Sequence, residues 1–392
     1  MLRARRPGVL PFPKLLAFAA LAAATMQAAL FARPKDSVPE IRFGLIEPPV
    51  VAQRDITVNA PTSNRQAQQT PLECSGMAWV AGQLIISSDR HGHLLFSCRV
   101  DLKDMTIGEP VPHVVIGNEQ YLLDDAESLA AKVDANGLVS LYAMCSLSND
   151  PAELPLPKRR HMMRLSWNQS RIDWQGQPVV ISAGPIREAL NQHFEAVGIE
   201  PYRTFHAEFT GPDKNTYRWG NVEGIAFAPD GIHLLCGMRN PLFEQKALLF
   251  AVRGVPEAFD SRSSDRLVLS DLFTLDLGQR GVSDLCWDPL TQGYLITAAR
   301  SNGPKIGKDQ PFPPNTLDSA LFWWSGRKSD APRLVATVPE MKIEAICRLG
   351  SSRYIAIGSD EGDVSESRPN RQSVLTILYF AGFAPDGEGG IQ

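Results

Sequence analysis

The stretch that decides the fold is NVEGIAFAPDGIHLLCGMRNP, residues 221–241. Two apolar runs flank Asp230-Gly231, and Asp-Gly between apolar runs is among the strongest short-range signals for a β-hairpin. Antiparallel pairing of these runs sets the start of the first strand beside the end of the second. Glu223 and Arg239 then become neighbours at one end of an otherwise apolar hairpin. Opposite charges placed there are an odd choice for a purely structural element.

The same pattern recurs in both directions along the chain. It appears as ECSGMAWVAGQLIISSDRHG from Glu73, ESLAAKVDANGLVSLYAMCSLSN from Glu127, SDLCWDPLTQGYLITAARSNG from Ser283 and EAICRLGSSRYIAIGSDEG from Glu344. Each copy turns near its middle, at Ala81-Gly82, Asn136-Gly137, Gln292-Gly293 and Gly350-Ser351. Further strand-like runs follow each hairpin, among them HLLFSCRV, HMMRLSW, ALLFAVRG, ALFWWSG and SVLTILYFAGF. Three or four strands per unit at a pitch mostly of 52–61 residues predict an all-β fold, a β-propeller with five recognisable blades. One interval, Glu127 to Glu223, is 96 residues and contains PIREALNQHFEAVGI, in which Ile186, Leu190, Phe194 and Val197 fall at helical spacing. Either a helical insertion around 185–199 fills it, or a degenerate sixth blade does. The propeller domain is expected over 71–384, followed by a tail over 385–392. The segment 33–70 precedes it, and a strand-like run near 41–51 is positioned to complete the last blade.

In a propeller the first strand of each blade lines the axis and all first strands run the same way, so equal phases form a ring at one mouth. Glu127, Glu223 and Glu344 share E-x-[LI]-[AC] and are in phase, with Ser283 at the shared phase of its repeat and Asp284 one residue later. Glu73 lies two residues early, which keeps it on the same strand face. The second strands end in Asp89-Arg90, Arg239, Arg300 and Asp360. Clustered carboxylates raise one another's pKa unless compensated, and a hard cation with six to eight oxygen ligands compensates them well. The expectation is Ca²⁺ held by Glu73, Glu127, Glu223 and Glu344, an anion held by Arg90, Arg239 and Arg300, and Asp89 and Asp360 as acid–base groups. The bland alternative makes the acids a lock between blades and the arginines their partners. His91 and His93 read as a solvated turn after a hairpin.

Residues 1–32 pair a basic start carrying four positive charges with an apolar run of 18 residues, as in a secretory leader or N-terminal membrane tether. A periplasmic or secreted monomer follows. Four of the 39 basic residues lie in that leader, leaving 35 against 43 acids and no block of like charge, which argues against a nucleic-acid partner. The six cysteines stand singly in apolar runs and form no zinc framework. They read mostly as small buried hydrophobes, with a disulfide left open by the oxidising compartment. No G-x-S-x-G, Walker or H-E-x-x-H motif occurs.

NVEGIAFAPDGIHLLCGMRNP, with DAESLA and KIEAICRLGSSRYIAIGSDEG, resembles an uncharacterised bacterial domain-of-unknown-function family marked by an E-G-[IL]-A strand and a G-[LM]-R-x-P ending. ECSGMAWVAGQLIISSDRHG resembles the first blade of phytase-like, esterase-like propellers. That second resemblance implies a calcium-bearing propeller acting on phosphate esters. Three functions therefore stand as expectations at one axial face: a phosphate-ester or other ester hydrolase acting on a small anionic substrate, a non-catalytic ligand- or protein-binding propeller, and a lactonase-like metal-dependent propeller.

Overall fold

A computed structural model describes residues 43–44, 50–60, 68–89, 91–115, 123–148, 157–168, 172–174, 176–196, 221–240, 242–299, 319–338, 341–360 and 373–385. The leader, Arg90, Arg300 and most of the C-terminal tail fall outside these residues. No helix among the described residues is long and apolar enough to cross a membrane.

Among the described residues the strands assemble as five antiparallel blade sheets and two small two-stranded ones, and four of the blades run in chain order from the first strand outward. The first strands are Cys74–Val80, Ala126–Val133, Asn221–Phe227, Gly281–Asp288 and Ile343–Arg348, which define blades 1 to 5. Each packs against the first strands of both neighbouring blades, and that of blade 5 packs against that of blade 1. The contacts close a circle, so the fold is a five-bladed β-propeller. Inner strands covered on both faces by neighbouring blades should read as continuous apolar runs rather than alternating ones. They do: LIIS, LYAMC, LLCG, YLITAA and IAIG are buried throughout.

Blade 5 takes its fourth strand from the other end of the chain. Val50–Ala60 pairs antiparallel with Ser373–Tyr379, and Gln68–Pro71 adds outside it. The closing strand therefore lies mostly beyond the 41–51 run. Backbone hydrogen bonds tie these two distant segments together and cover the otherwise free edge of Ser373–Tyr379.

The long interval after blade 2 holds the helix Gly184–Ala196. Ile186, Leu190 and Phe194 are buried on its inner face, together with Val255, Ala258 and Phe259 of the short helix Val255–Ser261. Each such side chain contributes roughly 1.5–3 kcal/mol by leaving water. All six cysteines are free thiols, five buried and Cys286 half-buried. Trp323 and Trp324 are packing residues, the first donating to Thr291 Oγ1 at 3.0 Å and the second stacking on Tyr294. His91 differs from its expectation, being buried against the Phe96 ring instead of solvated.

A shared irregularity aims the site. In every blade the pairing of first and second strands slips by one residue at the same phase, between 74 and 76, 126 and 128, 222 and 224, 282 and 284, and 343 and 345. The extra residues are Ser75, Glu127, Glu223, Ser283 and Glu344. A β-bulge bends its strand and re-aims the side chain it carries, so five bulges at one level turn five side chains toward one mouth. Glycine follows the bulge in blade 3 because the next blade is too close for anything larger: a Cβ at Gly224 would lie 2.8 Å from the Asp284 Cα.

Candidate functional site

Arg239 ends the second strand of blade 3 and crosses the mouth. Its Nη2 lies 2.9 Å from Glu223 Oε2 of its own blade, ion-pairs with Glu344 of blade 5 and approaches Ser283 Oγ of blade 4 at 3.4 Å. One guanidinium thus joins the bulge residues of three blades, which requires those residues to converge on the axis. Lys342 completes this side, its Nζ 2.8 Å from Glu344 Oε1 and 2.6 Å from Asp360 Oδ2. The contacts to Glu344 are ion pairs rather than well-aligned hydrogen bonds. Asn221 Nδ2 donates to Glu223 Oε1. Both glutamate side chains are only 4% exposed, a depth at which a carboxylate needs a partner. Burial pushes the Glu223 carboxyl up to about 7, against the pull of Arg239 and Lys342.

The blade 1 and blade 2 side is built differently. Asp125 is held by Arg159 Nη1 at 3.1 Å and by the hydroxyls of Ser146 and Ser148, while Arg159 Nε reaches Asp124 at 3.3 Å. Among the described residues Asp89 and Glu127 have no ion pair, and only the smaller pulls of Lys342 on Asp89 and of Arg239 on Glu127 oppose their neighbours. Glu127 is half-buried. Burial pushes its carboxyl well above the ordinary range, and Glu223, Asp125 and Asp89 add to the effect. Burial, Asp360 and Glu73 push Asp89 up to about 8, and its Oδ1 is buried without a hydrogen-bond partner among the described residues.

Below this mouth the channel is plugged. Asp284, one residue past the blade 4 bulge, is fully buried and accepts backbone N–H groups from Leu285 and Ile346, each at 2.8 Å, and from Met77 of blade 1. Burial pushes its carboxyl up, and the amides oppose that. The inter-blade locking role weighed for the glutamates is performed here by Asp284, tying blades 4, 5 and 1.

The sequence-derived site residues thus separate into groups. Glu127, Glu223 and Glu344 share the bulge phase, whereas the bulge in blade 1 is Ser75. Glu73 precedes the strand in a left-handed conformation at φ 49, as Asp125 does two residues before its own bulge at φ 63. Arg239 faces acids, and Asp360 faces Lys342. Arg90 and Arg300 lie outside the described residues. Asp125, Asn221, Lys342 and the plug Asp284 were not expected at the site. The first three are detectable as the residues two before each bulge, a phase that also includes Glu73. Among the described residues, no three acidic, imidazole or thiol groups stand close enough to form a ready-made metal shell.

These features define a five-bladed propeller with a charged, plugged axial mouth. Neither a family model nor a curated protein matches the chain. Among solved structures, a luciferin-regenerating enzyme aligns over 79% of this chain and 80% of its own at 9% identity, with a TM-score of 0.32, too distant to bear on the site.

Proposed function

We propose that this is an exported propeller whose axial mouth binds a hard divalent cation, calcium first among them, on the blade 1–blade 2 side. Asp89 and Glu127 are its principal protein ligands, with Asp125 and Glu73 beside them, and water or a bound anion completes the shell. The observation that carries the reading is the division of charge: Arg239 and Lys342 occupy Glu223, Glu344 and Asp360, while Asp89 and Glu127 have no ion pair among the described residues and are pushed up by burial and neighbouring acids. The donor set suits the ion, since calcium prefers carboxylate oxygens and tolerates a loose shell. The orphaned Asp89 Oδ1 is a donor atom awaiting a partner. Arg239 keeps a buried Nε–H with no hydrogen-bond acceptor, which suits an anionic group at the same mouth.

A bound cation would supply Lewis acidity for hydrolysis of a phosphate or other ester. Without the ion, at neutral pH, the raised Asp89 carboxyl holds a proton, which binding of the cation would displace. The rigid ion-paired wall on the opposite side fixes where an anion sits.

Calorimetric titration of the metal-free protein with CaCl₂ at pH 7.5 tests the proposal. Saturable one-site binding with proton release is expected, weakened in Asp89→Asn and Glu127→Gln variants that remain folded. Absence of calcium binding would sink it. Phosphate-ester or lactone turnover that a chelator abolishes assigns catalysis; calcium binding without turnover leaves the ligand-binding propeller.

A further inference from the structure

The channel has a second mouth on the far side of the Asp284 plug, where the first strands end. All five blades contribute to a cavity of about 370 Å³ there, within the range of small-molecule sites (roughly 300–1,000 Å³). The space exists because the residues three past the bulges are small. Ala78, Ala130 and Ala226 occupy that phase in blades 1 to 3, and Cys286 and Cys347 occupy it in blades 4 and 5. Burial pushes both thiols up, so they line the cavity as neutral, soft groups.

Trp79 and Trp287, both half-buried, add aromatic wall. Val133 lines the opening and is 64% exposed, and Ile232 and Leu290, each next to a lining residue in its hairpin turn, are 52% and 38% exposed. Exposed apolar side chains beside a cavity are what a binding surface presents.

Charge selects what binds. No acidic residue lines the cavity among the described residues. Arg348 is neutralised by Asp288, with Nε to Oδ1 at 2.9 Å, and also donates to the Phe380 carbonyl. Lys132 is different. Its ammonium sits 5.4 Å from the Phe227 ring centroid and donates to the Gly231 carbonyl at 2.7 Å. An ammonium has three donors, so two remain for a ligand.

We propose that this mouth is a second binding site, for a small amphipathic anion whose apolar or aromatic body fills the cavity while its carboxylate or sulfonate meets Lys132. The site is independent of the cation proposal, because the plug separates the two mouths.

The test uses the full chain with three probes: 1-anilinonaphthalene-8-sulfonate, decanoate and decanol. The expected result is saturable one-to-one binding of the naphthalene probe, followed by fluorescence, with displacement by decanoate. Decanol should bind roughly tenfold more weakly than decanoate. Lys132→Met keeps the apolar stem and should weaken both anions by a similar factor, bringing decanoate to the level of decanol. Asp89→Asn should change none of these affinities. Absence of saturable probe binding to the wild type, equal affinity for decanol and decanoate, or anion affinities unchanged in Lys132→Met would each overturn the site.

Discussion

Blades 3 to 5 and blades 1 to 2 place equivalent positions around one mouth but solve the charge problem in opposite ways. On the first side Glu223, Glu344 and Asp360 each face a cation: Glu223 and Glu344 share Arg239, and Glu344 and Asp360 share Lys342. On the second side Asp125 has Arg159, but Asp89 and Glu127 have no ion pair among the described residues, and burial and like charges outweigh the pulls of Lys342 and Arg239 on them. One ring of repeats thus carries a finished wall and an unfinished one. Compensated charge holds the blades together, and uncompensated charge is where a ligand would do most.

Removing the compensation should produce the largest effect. Arg239→Met strands two buried carboxylates and should cost about 3–5 kcal/mol in chemical denaturation. A loss below 1 kcal/mol would mean that those acids are already protonated and the two sides are alike. Next comes the plug: Asp284→Asn replaces an acceptor of three amides with a half-acceptor and should cost about 1–3 kcal/mol.

The uncompensated side should respond in the other direction. Because Asp89 is raised to about 8 from an ordinary value near 4, the folded state binds more protons than the unfolded chain between those values. Stability of the metal-free protein should therefore fall as pH rises from about 5 to 8. Asp89→Asn should flatten that slope and stabilise the protein by about 1–2 kcal/mol at pH 8; a variant less stable than wild type at that pH would show Asp89 to be paired. Smallest is Lys342→Met. Its side chain is 30% exposed, so solvent screens the pair and the loss should stay near 1 kcal/mol or less.

The repeats, the turns and the shared phase of Glu127, Ser283, Glu223 and Glu344 were legible in the chain because each hairpin carries its own turn and its own apolar runs. The phase of blade 1 was legible as well, since Glu73 reads two residues early and leaves Ser75 at the shared position. The direction of Glu73 was not: a bulge breaks the two-residue alternation that set it on the same strand face, and the residue precedes the strand in a left-handed conformation. The partners of Arg239 were legible only in part. Sequence spacing sets Glu223 beside it, but Glu344 lies two blades further round, and only closure of the ring brings that residue across the axis. Lys342 and Asp125 lie outside the strand pattern that defined the repeats. Asp284 looked like a phase error, yet its position one past the bulge is what sends its carboxylate into the channel to collect amides from three strands.

The division of the mouth can be measured at a single atom. The side-chain carboxyl carbon of Asp89, followed by carbon-13 NMR in the metal-free protein and assigned with Asp89→Asn, should titrate near pH 8 and shift below 6 when calcium is added. A midpoint near 4 without metal would contradict the account, because both halves of the mouth would then be equally compensated and the basis for the proposed cation site would be gone.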